Sequence, residues 1–186
     1  MGIDQSADLL ATAPTDAPRM ALVRGDGYCL PFEATFDVVT AARVLQWLDS
    51  PGDVLNEMTG ATKPGGHVVV LDYNHERIAW DPAPPPSMAR FYQAFLDWRA
   101  AAGMDNAIAD RLADMFGRVG LVDVTTTVED EVTVRGDADF ATRAGLWGYV
   151  AASRGHQMVT DGAVTEAERA AAEADHAAWV DDGCQR

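Results

Sequence analysis

Cysteine is scarce in this 186-residue chain: Cys29 and Cys184 lie far apart and form no Cys-x-x-Cys pattern. Neither a structural zinc site nor a disulfide framework is indicated, and a reducing cytoplasm is the expected compartment. Positive charge is scarce as well. Against 29 Asp and Glu stand 14 Lys and Arg, a formal net charge of −15, which opposes attachment to phosphate backbones or anionic lipid because both need clustered cations. Neither nucleic acid nor a membrane surface is therefore expected as a partner. No apolar run is long enough for a membrane span, and the opening stretch carries Asp4, Asp8, Asp16 and Asp26, which does not read as a secretory signal. His67, His75, His156 and His176 have no second His, Cys or carboxylate at metal-ligand spacing, so no metal is expected. Repeats and low-complexity tails are also lacking.

What is present is the composition of one globular domain, 48% hydrophobic, with sharply punctuated elements. "ALVR" (21–24) and "FDVVTA" (36–41) are short apolar runs rich in β-branched residues and read as strands. Between them, "GDGYCLPFEAT" has the glycines and proline of a loop. Ser50 followed by Pro51 starts a helix carrying Val54, Leu55 and Met58, which ends near Gly60 or at the Pro64-Gly65-Gly66 turn. "HVVVLD" (67–72) is the clearest strand, its unbroken valines pointing to burial on both faces, as in a parallel sheet. After the connector "DPAPPPS", Met88, Phe91, Tyr92 and Phe95 recur at helical spacing, followed by a second helix through Ile108, Leu112, Met115, Phe116 and Val119 that Gly120 ends. "LVDVTTTVEDEVTV" (121–134) reads as a half-exposed strand, Asp137 as the cap of a helix running through Trp147 and Val150, and Thr165 with Glu168 as a capping box for a last alanine-rich helix. This alternation predicts a doubly wound α/β sheet, whose ligands bind at the carboxyl ends of the strands.

The strand ends hold suitable residues. Asp4 could accept from both hydroxyls of a ribose, or merely cap the helix that starts near Ser6. Asp26 could accept from an adenine amine while Gly25 and Gly27 let the backbone approach a flat ring, or the stretch could be a plain turn. Ala41, Ala42 and Arg43 follow the next strand, and Tyr73, Asn74 and His75 the one after it. For His75 the plainer reading is a surface histidine.

The succession "GID", then "GDGYCLPFEATFDVVTAARVLQWLDSPGDVLNEMTGATKPGGHVVVLDYN", resembles the class I S-adenosylmethionine-dependent methyltransferases of small molecules over residues 2–74. The resemblance implies a mostly parallel Rossmann-like sheet with helices on both faces, in one domain. Residues 1–74 would form the cofactor side, and 75–186 the substrate-side helices, sixth strand and carboxyl-terminal helices. It implies S-adenosyl-L-methionine as cofactor. Asp4 would hold its ribose with Gln5 flanking the adenosine, Asp26 and Gly27 the adenine, and Ala41, Ala42 and Arg43 the sulfonium side. Tyr73 and His75 would be candidates near the acceptor, itself a small molecule.

The family's E/D-x-G-x-G-x-G turn and final antiparallel strand are not found in this sequence. In the family order three, two, one, four, five, seven, six, the first strand is central. The expectation is a truncated sheet in which the first and last strands are missing. The remaining strands would close up, or two copies would pair or swap strands into a homodimer. "MGIDQSADLL" accordingly reads as the middle of a strand-turn-helix unit. Rival readings are a non-catalytic remnant acting as a binding module, and a nicotinamide-dependent oxidoreductase, which shares the acidic residue but needs the same glycine fingerprint.

Overall fold

A computed structural model describes residues 1–13 and 20–185. The elements in chain order are β1 (Gly2–Asp4), α1 (Ala7–Thr12), β2 (Leu22–Arg24), β3 (Phe36–Ala42), a 3-10 turn (Leu45–Trp47), α2 (Pro51–Ala61), β4 (Thr62–Leu71), a 3-10 turn (His75–Arg77), α3 (Pro86–Ala101), α4 (Ile108–Arg118), α5 (Phe140–Ala144), α6 (Leu146–Ala152), α7 (Arg154–Thr160) and α8 (Glu166–Gln185). The chain divides into two compact units, Met1–Asn74 with Ala107–Thr126, and His75–Asn106 with Thr127–Arg186.

In the first unit the strands do not close into one sheet. β1 pairs with β2 and β3 with β4, both in parallel, giving two sheets of two strands among the described residues. The α/β alternation and parallel pairing thus hold, while the continuous doubly wound sheet is replaced by two short ladders. β3 and β4 turn Val39, Ala41, Val68 and Val70 towards a core of Leu45, Val54, Met58 and Ile108 from the 3-10 turn, α2 and α4. The other face of the same ladder is bare: Val38 is 52% and Val69 51% exposed. Burial on both faces, expected from the valine run, is therefore corrected to burial on one, because helices cover only that side.

β4 begins five residues earlier than the sequence indicates. Phe36 stands opposite Thr62 and the next matched pair is Val38 with His67, so the Lys63–Gly66 turn survives as an irregularity inside the strand. There Gly65 adopts φ +79°, and a Cβ on Gly66 would lie 2.7 Å from the Asp37 carbonyl oxygen. Pro51 occupies the first turn of α2 as expected, but the Ser50 side chain makes no cap bond. Its carbonyl accepts from the Asp53 N–H instead, at 3.1 Å.

The second unit is helical. α8 packs against α3, α5, α6 and α7, burying Phe95, Met158 and His176. Its start is the expected capping box: Thr165 N–H donates to Glu168 Oε2 at 2.8 Å, and Glu168 N–H to Thr165 Oγ1 at 3.2 Å. The expected helix from Asp137 through Val150 is instead two short ones, α5 and α6, and Asp137 accepts from the Val134 N–H at 3.0 Å rather than capping. The strand expected over 121–134 is not formed: among the described residues the segment joins no ladder, and Val122 and Val128 are each 81% exposed. A strand of alternating character forms only where a neighbouring ladder takes its backbone, and none is offered here.

Candidate functional site

The site is built at the carboxyl tips of the four strands. β1 ends at Asp4, whose Oδ1 accepts from the Ser6 N–H at 2.7 Å, while Ser6 Oγ accepts from Leu9 N–H at 3.3 Å and caps α1. Asp4 therefore turns the chain and leaves the capping to Ser6. Gly25 N–H donates to the Asp4 carbonyl at 3.1 Å, joining the tips of β1 and β2. A Cβ on Gly25 would sit 2.9 Å from Ile3 Cγ2, so glycine is needed for that approach. Arg24 Nε donates to the Gln5 carbonyl at 3.1 Å and fixes the residue after Asp4.

The loop after β2 holds itself and is lashed to the next element. Asp26 Oδ1 accepts from Tyr28 N–H at 3.0 Å, an Asx-type turn. Gly27 faces Val54 of α2 at 3.4 Å. Tyr28 donates its hydroxyl to Asp49 Oδ1 at 2.8 Å, and Leu30 N–H donates to Glu57 Oε2 at 2.7 Å. Burial, then the Asp49 bond, push the Tyr28 phenol above its ordinary range. Asp4, Gln5, Asp26 and Gly27 are thus brought together, and Tyr28 ties their loop to the segment following β3.

At the tip of β3, Ala41 is half-buried, Ala42 is exposed and Arg43 takes φ +60°, a left-handed conformation uncommon for a non-glycine residue. Its N–H donates to the Leu71 carbonyl at 2.7 Å, and its guanidinium lies 4.9 Å from the centroid of the Tyr73 ring. That is a cation–π contact across the tips of β3 and β4. Buried Asp72 Oδ2 accepts from the Leu45 N–H at 3.2 Å, and Asn74 Nδ2 donates to Asp110 Oδ2 at 2.9 Å. Sequence reasoning missed Tyr28, Asp49, Asp72 and Asp110. Asp72 alone carried a usable signal, as an acidic residue closing a valine strand.

His75 is not the surface histidine of the plainer reading, nor is it open to an acceptor. It belongs to the helical unit, 7% exposed, with ring centroids 5.9 Å from Phe95 and 6.3 Å from Trp147. Its N–H donates to the Asn106 carbonyl at 2.8 Å, and its own carbonyl accepts from the Tyr92 hydroxyl. Burial, aided by the Arg99 charge, lowers its pKa to about 4, so it is neutral at neutral pH. Among the described residues no group of three His, Cys, Asp or Glu could hold a metal, and no helix is long and apolar enough to cross a membrane.

Residues 1–70 match the family described as Methyltransferase domain. A trans-aconitate 2-methyltransferase of Methylobacterium radiotolerans is 31% identical over 134 residues, 72% of this chain and 49% of that protein. A demethylmenaquinone methyltransferase of Shouchella clausii is 29% identical over 145 residues, 67% of this chain and 60% of that protein. The chain is related to the class I S-adenosylmethionine-dependent methyltransferases. The family's cofactor is S-adenosyl-L-methionine, and the curated relatives act on small molecules by their names. The matched stretch spans about half or less of several of these methyltransferases, 49% of the trans-aconitate enzyme and 32% of a demethylmenaquinone methyltransferase of Renibacterium salmoninarum.

The residues present fit the adenosine half of that cofactor. Asp4 and Asp26 each engage a backbone N–H through Oδ1, and a carboxylate has further lone pairs for hydroxyl or amine donors. Gly25 between them has no room for a Cβ, which would meet Ile3 Cγ2 at 2.9 Å. For the methionine half the glycine-rich turn of the family has no counterpart in this sequence.

Proposed function

We propose that this chain binds S-adenosyl-L-methionine at the tips of β1, β2 and β3 and directs its methyl group to a small-molecule acceptor, in the cytoplasm and without nucleic acid or membrane as partner. The observation that carries the reading is the set of bonds joining those tips: Gly25 to Asp4, and Tyr28 to Asp49. Asp4 accepts from the ribose hydroxyls, with Gln5 beside the adenosine. Asp26 accepts from the adenine amine, and Gly27 gives the ring a backbone surface. Ala41 and Ala42 leave space on the sulfonium side, where Arg43 stands.

The cofactor when bound supplies a methyl group activated by its sulfonium. The chain's own contribution is alignment and exclusion of water, since a displacement at carbon needs the nucleophile in line and needs no obligatory general base. Tyr73, held by the Arg43 guanidinium, offers an aromatic wall to the acceptor. His75, neutral and enclosed, acts as a packing residue that sets the chain direction after Asn74.

Isothermal titration of the full chain with S-adenosylmethionine, S-adenosylhomocysteine and NAD tests this. Micromolar binding of the first two is expected, weakened by Asp4→Asn by roughly tenfold or more, the worth of hydrogen bonds to a charged group. Absence of binding supports the non-catalytic module instead, and preference for NAD overturns both.

A further inference from the structure

Two features of the molecule are incomplete in complementary ways. β4 pairs with β3 on one edge and, among the described residues, with no strand on the other, so its outer N–H and C=O groups form a template for another strand. Beside that edge the uncovered face carries Val38, Val69 and Leu71. Parallel sheets are ordinarily covered on both faces, and a two-stranded sheet is marginal by itself. The segment 121–134 is the converse case. It places Val122, Val124, Thr126, Val128, Val132 and Val134 at strand spacing, yet among the described residues it enters no ladder.

We propose that two copies of this chain associate by reciprocal strand exchange, residues 122–132 of each adding antiparallel to the open edge of β4 in the other. This is independent of the methyl-transfer reading. In that sense Val124 stands opposite Leu71, Thr126 opposite Val69 and Val128 opposite His67, so β-branched side chains extend the bare face. The same register runs Glu129 and Asp130 alongside His67 and Lys63, the two basic residues of β4, of which Lys63 also pairs with Asp37 of β3 at 2.9 Å. The parallel sense would carry those two acids towards Asp72 instead. Two chains each at −15 repel in any unspecific clustering, and the charge match selects this contact over others. A two-fold exchange uses one segment outside the ladders and one open edge from each copy and closes, so it ends at the dimer rather than growing into a filament.

Sedimentation velocity on the full chain across the micromolar range is the test. The expected species has twice the 20.0 kDa of one chain. Thr126→Pro and Val69→Lys each return it to single-chain mass with the helical circular dichroism signal unchanged, because Thr126 lies outside every helix and strand of the single chain and Val69 points away from the core. Hydrogen exchange on the unsubstituted chain reads the same contact without a variant, through protection of amides in 68–71 and 124–128 that is lost on dilution. A single-chain mass at every concentration, a dimer that withstands both substitutions, or unprotected amides in those stretches at dimer concentrations overturns the proposal.

Discussion

The two units meet the same demand, burial of apolar surface, with different success. In the first, aliphatic side chains of α2 and α4 seal one face of β3 and β4, while Leu22, Val23, Val38, Val69 and Leu71 remain exposed. In the second, the rings of Tyr92, Phe95 and Trp147 interlock, with Tyr92 and Trp147 centroids 4.5 Å apart. Arg169, 6% exposed, is held there by Glu166, Glu173 and the Ala151 carbonyl. The family match falls wholly in the first unit. Recognisability and completeness of packing are therefore separate properties: residues 1–70 carry the family match, and the helices of the second unit enclose the more continuous core.

The largest expected effect tests that contrast directly. Phe95 is 2% exposed and touches Trp147 at 5.3 Å between centroids, so Phe95→Ala should destabilise the helical unit by about 3–5 kcal/mol through lost burial and a residual cavity. Val69→Ala, on the bare sheet face, should cost no more than about 0.5 kcal/mol under conditions where single chains dominate. Urea denaturation of both variants measures the difference. Equal losses would break the comparison, since they would mean the face of β4 is already covered within one chain.

Next in size is a dependence on pH that belongs to the helical unit. The His75 pKa in the folded chain, about 4, lies below its ordinary value of 6.5, so the unfolded chain takes up the proton first. Stability is full above about pH 6.5 and falls as the pH drops towards about 4, by up to about 3 kcal/mol. His176 acts in the same direction: it is fully buried, and among the described residues neither ring nitrogen has a hydrogen-bond partner, so burial lowers its pKa too. Denaturation midpoints at pH 7.5 and pH 5 should differ for the native sequence and converge partly for His75→Leu, which leaves the His176 contribution. Protection of α3 and α6 amides should track the loss.

How much of this was legible follows the range of the forces involved. The helices announced themselves through local signals: Thr165 and Glu168 bond to each other as their spacing implies, and Gly120 takes φ +84° at the end of α4. Asp4 ends β1 and Asp26 follows β2, as their local context implies. The failures are tertiary. Valines at 67–71 read as doubly buried, yet nothing in the segment could tell whether a second layer of helices would arrive. Leu121–Val134 has strand character that a missing neighbour left unused. His75 was misplaced because its surroundings come from Phe95, Asn106 and Trp147, none adjacent in sequence. Asp110 reaches Asn74 across 36 positions and carried no sign of it.

The smallest effect sharpens the comparison inside the weaker unit. Gly65 and Gly66 sit together in the irregular stretch of β4, but for unlike reasons. A Cβ at Gly65 would meet nothing within 4 Å, so Gly65→Ala carries only the strain of φ +79°, roughly 1–2 kcal/mol. At Gly66 the added carbon would press on the Asp37 carbonyl oxygen at 2.7 Å and the Lys63 carbonyl oxygen at 3.0 Å. Those are backbone atoms on both strands, so Gly66→Ala must shift the ladder itself, and about 1–3 kcal/mol is expected. The readout that separates them is hydrogen exchange of the Val39–Val70 stretch of the ladder. Gly65→Ala should lower its protection uniformly, whereas Gly66→Ala should release the Phe36–Val38 end first, where the pairing already skips residues. If the two variants behave alike, the turn is not held against β3, and the one well-formed ladder of the first unit is looser than its register implies.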